Sequence, residues 1–314
     1  MSIKKIIFAG TNKFSAIHLN QLILKKFNVI YVLTKPDKKC GRGKKKKHSA
    51  VKKIALEYKI PIFQPKSLNS IISKKFFIKK KADIMIVVSY GVIIPTEIIN
   101  TFPYGCINLH TSLLPKFRGP SPIQSVILSG EKKTGITIIQ INKKIDSGDI
   151  LYKKSLIIKK NDTCKSLSQK LSIIGKKSLV KFLKIISSQK IKKIKQIEKK
   201  ATYTKIIKKK DGLIDWNTYA INIERKIRAF NPWPSSYFFI NKNMIKVWKA
   251  KIINSHIQDT PGKILEANKN GILISTKKKI IKLIELQFPG KKRNHVKDII
   301  NSHKNLFLVG SRLN

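Results

Sequence analysis

Asn108, His110 and Asp146 are the residues of this sequence whose types suit chemistry at a carbonyl group. Asn108 and His110 stand two positions apart in "GCINLH" (105–110), and alternate side chains of a strand project from the same face. Asp146 lies in the turn sequence "IDSGDIL" (145–151). An amide can donate to a developing oxyanion, an imidazole can transfer protons, and a carboxylate can orient the imidazole.

The trio includes no serine or cysteine nucleophile, so it predicts direct acyl transfer to a nucleophile that belongs to the substrate. Each residue also has a structural interpretation. A lone histidine at a strand end is commonly a satisfied residue near the surface, and an aspartate in a turn commonly bonds its own backbone. The catalytic interpretation therefore requires that the three side chains meet.

The first half of the chain alternates short apolar strands with amphipathic helices, as βαβ units do. This order predicts a Rossmann-like, mostly parallel sheet with its site at the carboxyl ends of the strands. The turn at Gly10 lacks the second and third glycines of GxGxxG, so no dinucleotide site is predicted there. Strands are predicted at 4–11, 28–34, 84–88, 105–110 and 134–141, and helices at 14–26, 50–59 and 163–188.

Hydrophobic alternation returns in the second half, at 244–253, 271–276 and 280–287. Several short strands with little helix predict a small OB-like β-barrel, a fold that can grip an oligonucleotide backbone. Trp233, in the aromatic and proline-rich "RAFNPWPSSYFF", is expected to seal this domain. The predicted domains are a catalytic α/β domain (1–188) with a basic loop (34–50), a linker (189–207) and a β-barrel domain (208–314).

The charge balance is extreme, with 67 Lys+Arg against 16 Asp+Glu and a net charge of +51. Such a charge attracts polyanions through counterion release and steering, which predicts a nucleic-acid partner. An AT-rich coding bias would produce the same excess of Lys, Ile and Asn, so only the local placement of charge argues for function. The three cysteines form no CxxC or Cys/His pattern, which predicts a cytosolic protein without structural zinc or disulfides. No apolar run reaches the length of a membrane span or signal segment.

The basic loop "TKPDKKCGRGKKKKHSA" (34–50) interrupts the alternating pattern with a glycine-bearing, cationic insert. It predicts a phosphate clamp, although a solvated charged turn would have the same composition. Arg42 is the informative residue, because its planar guanidinium can grip phosphate or stack on a base where lysine cannot.

"NLHTSLLPKFRG" with the later "DSGD" resembles the folate-dependent formyltransferases, and the resemblance to bacterial methionyl-tRNA formyltransferases runs almost end to end. Two departures concern the loop: "HTSLLP", where glycine often precedes the serine, and "RGPSPIQ", where "RGAAPIQ" is common. Neither alters the trio. The resemblance covers "FAGTNKFSAIHL", "TKPDKKCGRGKK", "PIFQPKSL", "VVSYGVIIP", "GCINLHTSLLPKFRG", "TGITIIQI" and "DSGDILYK", then "IDWN", "IRAFNPWP", "VWKA" and "ILEANKNGI".

The resemblance implies that the formyl group of 10-formyltetrahydrofolate passes to the amine of methionyl initiator tRNA, with Asn108, His110 and Asp146 as catalysts. The residues show no metal-ligand pattern, so no metal is expected, and a monomer is expected. The implied folate contacts are Ser112, Leu113, Leu114 and Pro115. The implied tRNA contacts are Arg42, Lys44, Lys45, Lys46, Lys208, Lys209 and Lys210.

Two other functions share some of these features. Another folate formyltransferase, acting on glycinamide ribonucleotide or an amino sugar nucleotide, would use the same trio but would need neither the basic loop nor the β-rich domain. A non-catalytic RNA-binding protein would have no use for the trio.

Overall fold

The computed structural model describes residues 3–40, 45–189, 191–255 and 259–313. The chain divides into two compact units. The first runs to Pro122 and also takes Lys133–Ile157 and Ser168–Lys205. The second takes Ile123–Lys132, Ile158–Leu167 and the residues from Ile206 onward.

Fifteen strands occur in the described residues. They are β1 (Ile6–Gly10), β2 (Val29–Leu33), β3 (Lys38–Cys40), β4 (Lys45–Lys47), β5 (Ile62–Phe63), β6 (Ile84–Val88), β7 (Cys106–His110), β8 (Lys133–Gln140), β9 (Ile150–Ile157), β10 (Ser236–Ile240), β11 (Asn243–Ile253), β12 (Ile264–Asn268), β13 (Gly271–Ser275), β14 (Ile280–Gln287) and β15 (Asn294–His295).

The same residues form eight α-helices and three short 3-10 helices. The α-helices are α1 (Lys13–Leu24), α2 (Ala50–Glu57), α3 (Ile71–Lys80), α4 (Thr96–Ile99), α5 (Pro122–Leu128), α6 (Cys164–Ser188), α7 (Ala220–Ala229) and α8 (Val296–Ile299), and the 3-10 helices are Glu198–Lys200, Lys209–Gly212 and Asn301–Leu306. None of these helices has the length and apolar composition that crossing a membrane requires.

The first unit contains a seven-stranded sheet in the order β5-β2-β1-β6-β7-β8-β9. The ladders from β5 to β7 are parallel, and β8 and β9 join antiparallel. Strands β1 and β6 are buried along their whole length, as their uninterrupted apolar sequences predict for central strands of a parallel sheet. The predicted mostly parallel sheet is confirmed.

The turn after β1 packs too closely for a side chain at its glycine. A Cβ atom on Gly10 would lie 2.6 Å from Ser15 Cβ and 2.9 Å from the Val88 carbonyl oxygen. Asn12 then begins α1, because its Oδ1 accepts from the backbone N–H of Ser15 at 3.0 Å. The glycine therefore has a packing role in this turn.

The second unit contains a six-stranded antiparallel sheet, in which β10-β11-β14-β13-β12 form the main path and β15 pairs with β14. The predicted β-rich C-terminal domain is confirmed as an antiparallel sheet domain. Trp216, Phe238 and Ile223 belong to its core. The expectation for Trp233 was wrong, because 49% of that residue is exposed. Composition indicated a packed aromatic cluster here but could not decide which tryptophan the core would enclose.

Candidate active site

The structure brings Asn108, His110 and Asp146 together. Asn108 and His110 lie on β7 at its carboxyl end, and β7 pairs with β8, whose chain continues into the turn that carries Asp146. Asn108 Nδ2 donates to Asp146 Oδ1 at 3.1 Å, and His110 Nδ1 lies 3.4 Å from Asp146 Oδ2. The predicted trio is thus contiguous, with Asp146 between the amide and the imidazole.

Asp146 is fixed by its backbone as well as by its side chain. Its φ angle is +50°, in the left-handed region that costs a non-glycine residue on the order of 1 kcal/mol or more. Oδ2 also accepts from the backbone N–H of Gly119 at 2.8 Å. The carboxylate therefore receives bonds at both oxygens, which orients it toward β7.

His110 has hydrogen-bond acceptors at both ring nitrogens. Its side chain is 6% exposed, Nε2 lies 2.8 Å from the Phe117 carbonyl oxygen, and Nδ1 faces the Asp146 carboxylate. The two flanking oxygens fix the orientation of the imidazole ring in the site.

The loop after β7, here called the SLLP loop (112–119), is held by Thr137 of β8. The buried Thr137 Oγ1 donates to the Ser112 carbonyl at 2.7 Å and accepts from the Leu114 N–H at 3.2 Å. Lys153 Nζ donates to the Leu114 carbonyl, and desolvation lowers the pKa of Lys153. These bonds fix the backbone of the loop.

The four predicted folate residues fall into two groups. Ser112 and Leu114 are buried, and Ser112 Oγ donates to the Lys116 carbonyl within the loop. Leu113 and Pro115 are partly exposed. Side-chain contact with a ligand is therefore open to Leu113 and Pro115, while Ser112 and Leu114 shape the loop.

Arg118 is a site residue that the sequence analysis missed. It is 0% exposed, and its guanidinium donates to both carboxylate oxygens of Glu198 at 2.9 Å and to Gln196 Oε1 at 3.1 and 2.9 Å. These bonds to Glu198 raise the pKa of Arg118, and Arg118 in turn lowers the pKa of Glu198. An arginine in a lysine-rich chain was the available signal, the same one that drew attention to Arg42.

The predicted linker supplies the partners of Arg118. The backbone of Arg118 also exchanges hydrogen bonds with this segment, to the Thr202 carbonyl at 2.8 Å and from the Thr204 N–H at 2.7 Å. Phe117 N donates to Thr202 Oγ1 at 2.8 Å. Residues 194–204 therefore form part of the wall of this site.

The predicted tRNA residues lie in two places. Arg42 and Lys44 are outside the described residues. Lys45 and Lys46 are on β4, which pairs antiparallel with β3. In the second unit, Lys208, Lys209 and Lys210 are exposed at the start of a 3-10 helix, and Lys208 N donates to Asp211 Oδ2 at 2.7 Å.

The base of the basic loop is clasped by Asp37. Its Oδ2 accepts from Lys52 Nζ at 2.7 Å and lies 2.9 Å from His48 Nδ1, and its Oδ1 accepts from Gln64 Nε2 at 3.2 Å. The hydrogen bond from Lys52 lowers the pKa of Asp37 to about 2. Asp37 precedes β3 and His48 follows β4, so this pair joins the two ends of the loop.

A cavity of about 1000 Å³ opens near the start of β7, where Gly105, Gln140 and Ile141 contribute to its lining. Its lining residues include no member of the trio and none of the SLLP loop. Within the residues that the structure describes, no cluster of three or more His, Cys, Asp or Glu side chains could hold a metal ion.

The fold and the site define a formyl transferase. A model of the formyl transferase family matches residues 3–183, and one of the formyl transferase C-terminal domain matches residues 206–304. The chain belongs to the formyl transferase family.

The relatives are more specific. The methionyl-tRNA formyltransferase of Buchnera aphidicola subsp. Acyrthosiphon pisum (strain APS) is 50% identical over 98% of this chain and 99% of its own length. That of Wigglesworthia glossinidia brevipalpis is 48% identical over 98% of this chain and 97% of its own. The predicted resemblance to bacterial methionyl-tRNA formyltransferases is confirmed.

Solved structures share the fold. The N-formyltransferase from Helicobacter canadensis, crystallised in complex with folinic acid and dTDP-3-aminofucose, matches with a TM-score of 0.67 and 22% identity. The match covers 90% of this chain and 99% of that one. At this identity the likeness concerns the fold alone.

Proposed function

We propose that this enzyme transfers the formyl group of 10-formyltetrahydrofolate to the α-amino group of methionine esterified to initiator tRNA, the reaction that provides formylmethionyl-tRNA for translation initiation. The observation that carries the proposal is identity of about half of all residues, over nearly the whole of both chains, to methionyl-tRNA formyltransferases. The meeting of Asn108, His110 and Asp146 gives it a chemical basis.

The reaction exchanges one C–N bond for another. The unprotonated amine of the methionyl ester attacks the formyl carbon, a tetrahedral oxyanion forms, and the bond to N10 of the folate then breaks. One proton leaves the amine and one reaches N10, so no oxidant or further co-reactant is required. Catalysis consists of stabilising the oxyanion and moving this proton.

Asn108 is suited to stabilise the oxyanion. One hydrogen of its Nδ2 is used by Asp146 Oδ1, and the same amide carries a second hydrogen that can be donated to the formyl oxygen. Such a donor typically contributes about 10²- to 10³-fold in rate. Asp146 therefore orients the amide for this role as well as the imidazole.

His110 is suited to transfer the proton. The Asp146 carboxylate lies 3.4 Å from Nδ1 and orients the ring, while Nε2 lies 2.8 Å from the Phe117 carbonyl oxygen. Direct contact between Nε2 and a reacting atom requires exchange of this bond, which a substrate seated against the SLLP loop would bring about. Folate contact is assigned to that loop, through the side chains of Leu113 and Pro115 and the shape fixed by Ser112 and Leu114.

The tRNA contacts are assigned to positively charged residues on both units. In the basic loop the contacts are Arg42, Lys44, Lys45 and Lys46, and in the second unit they are Lys208, Lys209 and Lys210. Residues 1–188 are assigned to catalysis, 189–207 to a linker whose residues 194–204 line the catalytic site, and 208–314 to tRNA binding. The reaction belongs in the cytoplasm, where translation starts, and a monomer suffices because one chain supplies the trio.

The test is a formylation assay with the purified protein, 10-formyltetrahydrofolate and methionyl initiator tRNA, in which formylmethionine is measured after hydrolysis of the ester. Rapid formylation of the charged tRNA is expected. A second arm replaces the tRNA with glycinamide ribonucleotide or an amino sugar nucleotide. Faster formylation of either small amine than of the tRNA would overturn the proposal, and no transfer to any acceptor would remove the catalytic function.

A further inference from the structure

The main chain of Asp146 has a partner that the trio does not include. Gln196 Nε2 donates to the carbonyl oxygens of Asp146 and Gly148, both at 2.8 Å. Asp146 and Gly148 belong to the same turn, in which Asp146 has a left-handed backbone conformation. Both hydrogens of one amide nitrogen are therefore used to fix the backbone at the catalytic carboxylate.

The oxygen of the same amide is fixed from the other side. Arg118 donates to Gln196 Oε1 through Nε and Nη2 at 3.1 and 2.9 Å. The Gln196 side chain is thus fully satisfied, with two bonds accepted and two donated, and it can adopt only one orientation of its amide.

Arg118 also connects Gln196 to the Asp146 carboxylate through the chain. The residue after it, Gly119, donates its backbone N–H to Asp146 Oδ2 at 2.8 Å. Arg118 itself is fully buried, and Glu198 and Tyr203 accept further bonds from its guanidinium. Asp146 is therefore held at its carbonyl by Gln196 and at its carboxylate by the neighbour of the arginine that orients Gln196.

We propose that Gln196 is a positioning residue for formyl transfer, which holds Asp146 in the orientation that serves Asn108 and His110, with Arg118 as its support. The proposal rests on the proposed function, since the positioned carboxylate is that of the catalytic trio. Gln196 touches neither substrate, and its effect passes through Asp146. Loss of its two donated bonds leaves a strained turn without its restraint, so the carboxylate adopts other orientations and turnover falls.

The variant Gln196→Glu separates positioning from folding. A glutamate keeps the length of the side chain and still accepts from Arg118, now as an ion pair. Its second oxygen, however, faces two carbonyl oxygens and can donate to neither. The matched control is Gln287→Glu in the second unit, because Gln287 likewise accepts from a side-chain N–H, that of Trp248, and donates to a backbone carbonyl, that of Lys291.

The measurement is formylation of methionyl initiator tRNA at saturating and limiting concentrations of each substrate. For Gln196→Glu we expect kcat to fall about 10- to 100-fold, within the range of orientation effects in active sites, while KM for folate and tRNA changes less than about twofold. Gln287→Glu should keep the wild-type kcat, because Gln287 is not among the residues assigned to contact tRNA or folate. A kcat for Gln196→Glu within twofold of wild type, when wild type formylates normally, overturns the proposal. An inactive wild type would instead refute the proposed function.

A double-variant cycle distinguishes positioning of Asp146 from a purely structural role of Gln196. If Gln196 acts through Asp146, adding Gln196→Glu to Asp146→Asn should reduce the single-turnover rate little further, because the carboxylate it positions is already absent. If the double variant instead loses rate by the product of the two single losses, the proposal is overturned. Should the added carboxylate prevent folding, Gln196→Met removes the same two donated bonds without adding charge. It is expected to lose kcat to a similar extent, and wild-type kcat in this variant would likewise overturn the proposal.

Discussion

Asn108 Nδ2 donates to Asp146 Oδ1 at 3.1 Å although the two residues are 38 positions apart in the sequence. The bond joins the carboxyl end of a parallel strand to the turn beyond the neighbouring antiparallel strand. It lies at the point where the sheet changes from parallel to antiparallel pairing. The change in strand pairing therefore brings the residues of the trio together.

Replacing His110 with alanine should remove most catalysis while leaving tRNA affinity almost intact. We propose the imidazole as the proton carrier of the trio, and general acid–base groups contribute about 10²- to 10⁴-fold to the rate. Single-turnover formyl transfer measures the loss, and filter binding of methionyl initiator tRNA is the control. Near-normal turnover would remove His110 from the mechanism.

Thr137→Val should destabilise the SLLP loop and raise KM for folate. The change is nearly isosteric, but it leaves the Ser112 carbonyl and the Leu114 N–H without their buried partner, at a cost of about 1–3 kcal/mol per group. Urea unfolding and KM for 10-formyltetrahydrofolate measure the two effects.

The matched control for Thr137→Val is Thr134→Val on the same strand. Thr134 is also buried, and its hydroxyl has no hydrogen-bond partner among the described residues, so valine there should cost little or even stabilise. Equal destabilisation by the two variants would contradict the assignment of Thr137 to the loop.

Asp37→Asn should weaken tRNA binding several-fold without affecting folate. The carboxylate accepts hydrogen bonds from Lys52 and Gln64 and faces His48, and an asparagine cannot accept at both side-chain positions. Because the pKa of Asp37 is lowered to about 2, the wild-type clasp should persist across pH 5 to 8. The kcat/KM for methionyl initiator tRNA measures the effect, and an unchanged value would show that the loop does not depend on its base.

Within the basic loop, Arg42→Lys should lower formylation more than Lys46→Ala does. A lysine keeps the charge of Arg42 but loses the planar, forked hydrogen-bonding group, whereas removal of one lysine among several costs one screened charge. Values of kcat/KM on charged initiator tRNA compare the two variants. Equal or reversed effects would assign the loop a purely electrostatic role.

His18 should make stability fall in mild acid. It is fully buried with Nε2 unpartnered among the described residues, and burial lowers the pKa of His18 from 6.5 to about 4. In the unfolded chain His18 therefore binds a proton below about pH 6.5, whereas in the folded chain it binds one only below about pH 4. This difference should remove about 2 kcal/mol of unfolding free energy between pH 7 and pH 5.

The unfolding free energies of wild type and His18→Leu at pH 7 and pH 5 provide the test. Both proteins carry nearly the same excess of positive charge, so their general response to acid is shared. The contribution of His18 is the difference between the two pH effects. An identical fall in both proteins would show that His18 does not titrate differently on folding.

Local patterns in the sequence were enough for much of the fold. The strands at Ile84–Val88 and Ile280–Gln287 form over the predicted residues, because the Ile- and Val-rich run of the first and the apolar pattern of the second each favour a buried strand. Strands β5 and β12 were missed, because β5 has only two residues and the sequence of β12, ILEAN, shows no regular apolar period. The exposure of Trp233 was likewise beyond a local pattern.

Local patterns also identified the residue types near the site and the strand that presents Asn108 and His110, because strand periodicity is encoded within a few neighbouring positions. The distant residues that complete the site became evident only in the folded chain. Gln196 and Glu198 look like members of a polar linker, and Arg118 looks like one more cation. They become one hydrogen-bonded cluster around the buried Arg118 only after chain closure over 78 and 80 positions, where burial of the guanidinium makes each bond that it fails to form costly.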